Sequence, residues 1–373
     1  MRILQGSHAI WGLLLTVAFS AGCQSEIPRE GGGSSPGASA DAGSKRRIIV
    51  LVNNASSFWD PCRSGVQDAE RDLNLASAGL TATMEVPDGT IQGQLDRLRQ
   101  FGSQSDIAAI GISPLESDNA AIADELQKLK AKGIPIVTFD SDLDRTQFRE
   151  LRAAFLGTNN RSAGEALGTC AKALRPDGGS YVSFVGRTGA QNAIERIDGF
   201  AAGAGEMFQS KDTMADDGDR SRARENVRNA LQNHTDLNLL VGIWSYNAPA
   251  IVDVVRDQNL REKLAVAVFD AEPGTIAAMD VGDVDVMIVQ DPYAMGFQTT
   301  KLLAAMVQKD DATIREMLPE QGQPDGDIFD TGIKVVVPTD KSPITPDLFP
   351  GKVQHMTLAT FKEWLSKYGL SGS

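Results

Sequence analysis

The sequence predicts an α/β protein with two lobes, each built on a largely parallel sheet. Short apolar runs rich in Val and Ile alternate with amphipathic segments from residue 46 to about residue 308. Regular alternation of strands and helices favours parallel sheets. The ten predicted strands are many for one sheet, and 373 residues at roughly 150 per domain agree better with two lobes.

The elements can be placed in order from their apolar spacing. The run 48–53 is apolar and β-branched, as expected of a strand covered on both faces, and 60–75 has helical spacing. Further strands are predicted at 81–86, 107–113, 134–139, 153–157, 181–186, 238–243, 264–269, 284–290 and 333–337. Helices are predicted at 92–101, 117–132, 163–174, 191–208, 221–232, 248–259, 273–279 and 294–308. From about Asp310 the alternation ends in Pro-, Gly- and Asp-rich chain, followed by a last helix over 357–368.

Residues 1–22 are typical of a secretory signal peptide. The apolar run 11–19 is too short to span a bilayer, and Arg2 is the only charge before Glu26. Ser20-Ala21-Gly22-Cys23 resembles the lipobox of bacterial lipoproteins, although Leu is preferred where Ser20 stands. We therefore expect a lipid on Cys23, and the alternative is a plain secretory signal. Residues 23–45, rich in Gly and Ser, predict a flexible tether.

Composition excludes several classes of protein. The net charge of −13 argues against nucleic-acid binding, which needs basic surface. Three His and three Cys are too few for the usual multi-ligand metal sites, and we expect no metal or cofactor. Cys62 and Cys170 are either a disulfide of an exported protein or two buried free thiols, and we favour free thiols.

Polar and aromatic residues follow the predicted strands, at the sheet edge where parallel α/β proteins bind ligands. The segments are Asn53–Asp60, Ser113–Glu116, Asp140–Asp142, Arg187–Asn192 with Glu195-Arg196, Trp244–Asn247, Asp270–Glu272 and Gln290-Asp291. Aromatic faces suit the C–H surface of a sugar ring, and carboxylates with arginine suit its hydroxyls. This mixture favours a small polyhydroxylated ligand. Phe58 and Trp59 are the strongest candidates, although they could instead pack on the core at a helix start.

Five stretches in order resemble the type I periplasmic sugar-binding proteins, the ribose-binding family. They are Ile49–Gln67, Gly111–Pro114 with Asp118, Gly133–Asp140, Glu195–Phe200, and Val268–Asp270 followed by Met287–Gln290 and Gly296. The resemblance covers roughly residues 47–310. It implies that Phe58 and Trp59 enclose the sugar ring. It also implies that Asp140, Arg196, Asp270 and Gln290 bind the sugar hydroxyls.

Other positions depart from the family pattern. Ser56, Ser113 and Tyr246 fall where ribose binders have asparagines, and Ser141 falls where an arginine follows the aspartate. A further departure is Gly218, which falls where an aromatic residue contributes from the second lobe. We keep Ser56, Ser113, Ser141 and Tyr246 as candidate ligand-binding residues, and we expect the sugar to differ from ribose.

The resemblance implies two Rossmann-like lobes joined by three hinge crossings. We predict one lobe from 46–158 with 291–331 and a second from 159–290 with 332–373. The predicted function is capture of a sugar or polyol, in a periplasm or at a cell surface, by a lipid-anchored monomer serving the permease of an ABC importer. One alternative is a sensor subunit for a membrane receptor or kinase.

Two further alternatives are disfavoured. A carbohydrate-active enzyme would use Asp140 and Asp270 as its carboxylate pair, but in the family both bind ligand. A repressor of the LacI type would begin with a basic helix-turn-helix, and a signal segment stands there instead.

Overall fold

The computed structural model of the protein describes residues 45–349 and 353–373, and thirteen strands within them form two sheets. The predicted signal peptide, Cys23 and the tether as far as residue 44 lie outside the described residues. The strands are β1 Arg46–Leu51, β2 Leu80–Glu85, β3 Ile107–Ile112, β4 Ile136–Phe139, β5 Phe155–Gly157, β6 Gly179–Val185, β7 Phe208–Ala215, β8 Leu237–Gly242, β9 Ala265–Phe269, β10 Val286–Val289, β11 Ile328–Asp330, β12 Ile333–Val337 and β13 Val353–Thr357.

Eleven α-helices connect these strands within the described residues. They are α1 Trp59–Asp72, α2 Ile91–Ser103, α3 Ala120–Ala131, α4 Asn160–Leu174, α5 Gln191–Ala204, α6 Arg220–Asn233, α7 Asn247–Asp257, α8 Pro273–Asp280, α9 Pro292–Gln308, α10 Asp311–Met317 and α11 Leu358–Lys367. Most of the predicted helices lie within a few residues of these bounds.

The first sheet has the strand order β11-β5-β4-β3-β1-β2, and the second has the order β13-β12-β10-β9-β8-β6-β7. All their paired strands are parallel except β10 and β12, which run antiparallel. The chain passes between the sheets three times: after Gly157, between Val289 and Pro292, and between Asp330 and Ile333. The predicted fold of two α/β lobes with three crossings is therefore confirmed.

Each sheet is covered on both faces, which explains the continuous apolar strands. In β1, Ile48 and Val50 point into a core formed with α1 and α9, whereas Ile49 and Leu51 point into one formed with α2 and α3. All four side chains are fully buried. A strand between two helical layers has no polar face, so alternation of apolar and polar residues is absent from it.

Helices α4 and α5 pack with their backbones in direct contact. Each contributes two glycines, Gly164 and Gly168 from α4 and Gly199 and Gly203 from α5. A Cβ atom at any of these positions would lie 2.2–2.3 Å from a backbone oxygen of the other helix. The glycines are therefore required by close approach, since a β-carbon would push the helices apart.

The structure differs from the sequence prediction in two regions. The helix predicted over 191–208 ends at Ala204, and Phe208–Ala215 is strand β7 at the edge of the second sheet. Most of its side chains are at least partly exposed, so β7 lacks the apolar pattern used to find strands. Beyond Asp310 the chain also forms elements that were not predicted: α10, strand β11 at the edge of the first sheet and strand β13 beside β12 in the second.

Candidate functional site

The carboxyl ends of the strands in both sheets border a cavity between the lobes. Ligand sites of parallel α/β proteins lie at such strand ends. The lining residues are Asn53, Asn54, Ser56, Phe58, Trp59, Asp140, Asn192, Arg196, Trp244, Ser245, Tyr246, Asp270 and Gln290. Residues of both lobes therefore face one cavity.

Two aspartates occupy equivalent positions in the two lobes. Asp140 follows β4 and Asp270 follows β9, and each has a left-handed backbone, with φ of 60° and 67°. Each backbone N–H donates to the neighbouring strand, from Asp140 to the Leu156 carbonyl at 3.1 Å and from Asp270 to the Ile288 carbonyl at 2.8 Å. This turn directs both carboxylates into the cavity.

Buried donors hold both carboxylates. Asp140 Oδ2 accepts from Ser113 Oγ at 3.0 Å and from Asn192 Nδ2 at 3.4 Å. Asp270 Oδ1 accepts from Gln290 Nε2 at 2.9 Å, while Gln290 Oε1 has no partner among the described residues. Gln290 Oε1 is therefore an unpaired acceptor, to which a ligand hydroxyl could donate.

Among the described residues that line the cavity, Arg196 of α5 is the one with a positively charged side chain. Its Nε donates to Asn160 Oδ1 at 2.9 Å, and its Nη1 donates to the Ile243 carbonyl at 3.0 Å. The guanidinium lies over the ring of Phe269, 4.4 Å from the centroid. The side chain is fully buried, and Nη2 has no partner within the described part of the chain. A fixed, buried, unused donor favours recognition of a polar ligand.

Aromatic rings form two sides of the cavity. From the first lobe, Phe58 and Trp59 meet edge to face with centroids 4.8 Å apart, and Trp59 packs in the same manner on Phe139 at 5.8 Å. From the second lobe, Trp244 and Tyr246 contribute rings 6.4 Å apart. Phe58 and Trp59 also belong to the core of the first lobe, so this pair both packs in the core and lines the cavity.

The site carries strongly shifted acids. Burial raises the pKa of Asp140 to about 6, opposed by the charge of Arg196 and the Ser113 hydrogen bond. Burial likewise raises the pKa of Asp270 to about 7, against the charge of Arg196 and the Gln290 hydrogen bond. The same burial lowers the pKa of Arg196, which the two aspartates counteract. Desolvated groups with specific charge partners in a cleft are typical of functional sites.

Contacts between the lobes close the cavity. Ser117 N–H of the first lobe donates to the Gly189 carbonyl of the second at 3.1 Å. Arg145 Nη1 of the first lobe lies 3.1 Å from Glu195 of α5 in the second. Asp140 and Asp270 are both buried, so polar interactions with their carboxylates are made in surroundings with little water.

Residues 48–311 match the sequence profile of a family described as a periplasmic binding protein domain. This chain belongs to the periplasmic binding protein family. The matched range begins in β1 and ends at the start of α10, so it contains nearly all of the cavity-lining strand ends.

Two curated relatives of this periplasmic binding protein are similar in sequence. The ribose import binding protein RbsB of Bacillus subtilis (strain 168) is 23% identical over 215 residues, which are 57% of this chain and 68% of the relative. The xylose/arabinose-binding protein XylF of Sulfolobus acidocaldarius is 23% identical over 267 residues, 68% of this chain and 64% of the relative.

Solved structures share the fold. An ABC transporter solute-binding protein of Burkholderia graminis C4D1M, solved with D-arabinose, has a TM-score of 0.67 at 24% identity and covers 83% of this chain and 99% of that chain. One from Agrobacterium vitis with D-fucose has a TM-score of 0.69 at 22% identity, covering 81% and 98%. GanP, a glucose-galactose binding protein of Geobacillus stearothermophilus, has a TM-score of 0.68 at 22% identity, covering 79% and 98%.

The family places this chain among binding proteins rather than enzymes. Within residues 45–349 and 353–373, no group of three or more His, Cys, Asp or Glu is arranged to hold a metal ion. No helix in this part of the chain has the length and apolar character needed to cross a membrane. Cys62 and Cys170 are buried free thiols.

Eight of the ten predicted ligand-binding residues line the cavity of this periplasmic binding protein. They are Ser56, Phe58, Trp59, Asp140, Arg196, Tyr246, Asp270 and Gln290. The structure places Ser113 behind Asp140, where it donates to that carboxylate, and it places Ser141 in a buried position outside the lining. The left-handed backbone at Asp140 directs its carboxylate to the cavity, while the next residue, Ser141, is buried outside the lining.

Two of the lining residues differ from expectation in what they offer a ligand. The Tyr246 hydroxyl donates to Asp216 Oδ1, so the ring rather than the hydroxyl is free to contact a ligand. The Ser56 hydroxyl accepts from the Phe58 N–H at 3.3 Å at the start of α1. Tyr246 therefore contributes mainly its ring, whereas Ser56 keeps its hydroxyl hydrogen available to donate.

The residue-level prediction did not include five lining residues, which are Asn53, Asn54, Asn192, Trp244 and Ser245. All five lie in the segments that follow predicted strands, so the strand-end rule identified their neighbourhood. Trp244 supplies an aromatic surface from the second lobe, and its Nε1 donates to Asn192 Oδ1 at 3.2 Å. Gly218 lies outside the lining and borders a neighbouring cavity.

Proposed function

We propose that this chain captures a small sugar or polyol between its lobes and delivers it to an ABC importer. The observation that carries the proposal is Arg196, which is buried and lines the same cavity as Asp140 and Asp270, with Nη2 unpaired among the described residues. Vicinal hydroxyls can donate to Asp140 and Asp270 and accept from Arg196 together, while the rings of Trp59 and Trp244 cover the C–H surface.

The relatives support the choice of ligand class. RbsB and XylF are named for ribose import and for xylose and arabinose binding, and two structures of the same fold hold D-arabinose and D-fucose. Among the described residues that line the cavity, Arg196 and Gln290 have buried polar atoms without a partner. The aromatic and amide residues around them differ from those that the ribose-binding pattern implies, so a sugar other than ribose fits the proposal.

The lobe boundaries and the membrane anchor belong to the same proposal. We propose lobes of 46–158 with 291–331 and of 159–290 with 332–373, supported by sheet membership and by the packing of α9 on α1. Cys23 would carry the lipid, outside the cytoplasm, and the protein would act as a monomer. Cys23→Ala should release the protein from membranes into the soluble fraction, whereas Cys62→Ala should leave it membrane-bound.

A thermal-shift screen followed by titration calorimetry tests the ligand class. The chain from residue 45 onward would be screened against pentoses, hexoses, deoxysugars, polyols and amino acids. A ligand at a hundredfold excess over Kd should stabilise the folded protein by about 2.7 kcal/mol. A response to amino acids alone, or to no sugar or polyol, would contradict the proposal.

Two arginine variants locate the binding site. Arg196→Met should weaken sugar binding by about 2–5 kcal/mol, because it removes one member of a desolvated charged set. Arg175→Met is the matched control, since Arg175 donates to the Asn238 and Lys263 carbonyls, outside the cavity. Equal affinity of both variants and the wild type would show that the ligand binds elsewhere.

A further inference from the structure

The C-terminal segment 369–373 lies against the ends of the two strands that carry Asp270 and Gln290. The Ser373 N–H donates to the Ala271 carbonyl at 3.1 Å, and the Ser373 carbonyl accepts from the Ala271 N–H at 2.6 Å. Ser373 Oγ donates to the Gln290 carbonyl at 3.0 Å. Ser373 is only 4% exposed, so one buried residue ties together two backbone segments of the candidate site.

The hydrogen bonds of Ser373 lie next to Asp270, whose backbone has an unfavourable conformation. Asp270 has a φ of 67°, in the left-handed region that a non-glycine residue adopts only when its surroundings fix it. The reciprocal pair with Ser373 fixes the very next residue, Ala271. The side-chain amide of Gln290 donates to Asp270, and the main-chain carbonyl of Gln290 accepts the hydrogen bond from Ser373 Oγ. Ser373 therefore fixes the backbone of Gln290 as well.

We propose that residues 369–373 are a positioning element of the binding site, in which Ser373 fixes the backbones of Asp270 and Gln290 and keeps water from Asp270, and so sets ligand affinity. This inference rests on the proposed function for its ligand. The segment lies outside the range that matches the family profile, 48–311. It is therefore a feature of this chain that the family assignment does not supply.

Three substitutions separate the contribution of each contact. A Cβ atom on Gly372 would lie 2.6 Å from the Ala271 backbone oxygen and 3.0 Å from Pro273 Cδ, so Gly372→Ala must push the segment away. Ser373→Ala removes only the hydroxyl that binds the Gln290 carbonyl. Ser371→Ala is the matched control, because Ser371 is exposed in the same segment.

The first readout is affinity for the sugar that the screen identifies. Ser373→Ala should raise Kd about fivefold, the equivalent of one hydrogen bond of ~1 kcal/mol, and Gly372→Ala should raise it at least about tenfold. Ser371→Ala should bind within about twofold of the wild type, as expected of an exposed substitution without specific contacts.

The second readout needs no ligand: the pH dependence of thermal stability. The groups facing Asp270 are Arg196, Asp140 and Glu272, and Glu272 is itself paired with Arg220. Burial raises the pKa of Asp270 to about 7. Water admitted by Gly372→Ala should lower that pKa, so the stability of this variant should depend less on pH between about 4 and 7. A purely structural loss would lower stability equally at every pH.

The outcomes distinguish this inference from the proposed function. In one outcome, Arg196→Met loses sugar binding while Gly372→Ala and Ser373→Ala behave like Ser371→Ala in both readouts. That result would overturn the positioning role and leave the proposed function standing. An altered pH profile in Gly372→Ala, in a protein that binds no sugar, would support the positioning role and overturn the function. The expected result is weaker binding and a flatter pH profile together.

Discussion

Asp270→Asn should change how the stability of the unliganded protein depends on pH. Asparagine keeps the shape of the side chain and tolerates the left-handed backbone at this position, where φ is 67°. The substitution therefore removes a titrating group while preserving the local geometry. It also keeps an amide in place to face Gln290.

The size of the effect follows from the shift of the carboxyl. Burial raises the pKa of Asp270 from 3.8 to about 7, a difference of about 3 pKa units. At 1.36 kcal/mol per unit, this is about 4 kcal/mol. Between these pKa values the folded state holds a proton that the unfolded state has lost, so stability falls as pH rises. The contribution is complete below about pH 4 and is lost as pH passes about 7.

Urea unfolding followed by tryptophan fluorescence, repeated from about pH 4 to pH 8, measures this contribution. The wild type should lose about 4 kcal/mol more than Asp270→Asn across the range. Asp257→Asn, which removes an exposed carboxylate from the same lobe, is the control and should follow the wild type. Parallel curves for the wild type and Asp270→Asn would refute the buried, protonated state of Asp270.

Three other experiments, two with substitutions and one with a thiol reagent, test the surroundings of the site. Arg152→Ala should lower the free energy of unfolding by about 3–5 kcal/mol in urea titrations, because it leaves Asp142 buried without its main partner; a loss below 1 kcal/mol would contradict this. Gly164→Val should reduce sugar affinity in calorimetry, since its side chain would collide with the Arg196 carbonyl and displace α5; unchanged affinity would contradict it. In the chain from residue 45 onward, neither thiol should react with Ellman's reagent until urea is added, because burial raises the pKa of both; rapid labelling of the native protein would refute their burial.

Much of the fold followed from sequence because most strands lie between two helical layers. A strand such as β3, buried along its whole length, is a continuous apolar run that no surface position interrupts. Strand β7 escaped prediction because it lies at a sheet edge with a mostly polar, exposed sequence. Strand β11 escaped because three residues carry too little periodicity to recognise.

The candidate site was predictable at the level of segments and less so at the level of side chains. Parallel topology gathers the residues after each strand at one edge, so Asp140, Arg196 and Asp270 could be expected together. Whether Ser113 or Trp244 faces the cavity depends on local backbone turns and on packing across the cleft. The contacts of Ser373 had no local signal, because pairing with Ala271 joins residues about a hundred positions apart.

The glycine contact between α4 and α5 limits how this protein can change over evolutionary time. Substitution at Gly164, Gly168, Gly199 or Gly203 would separate two helices, one of which carries Arg196 and Asn192. Substitutions that adapt the site to a new ligand are therefore expected at cavity positions away from this helix pair, such as Asn54, Ser245 and Trp244. Laboratory libraries that vary these three and leave the helix pair intact should retain folded members most often.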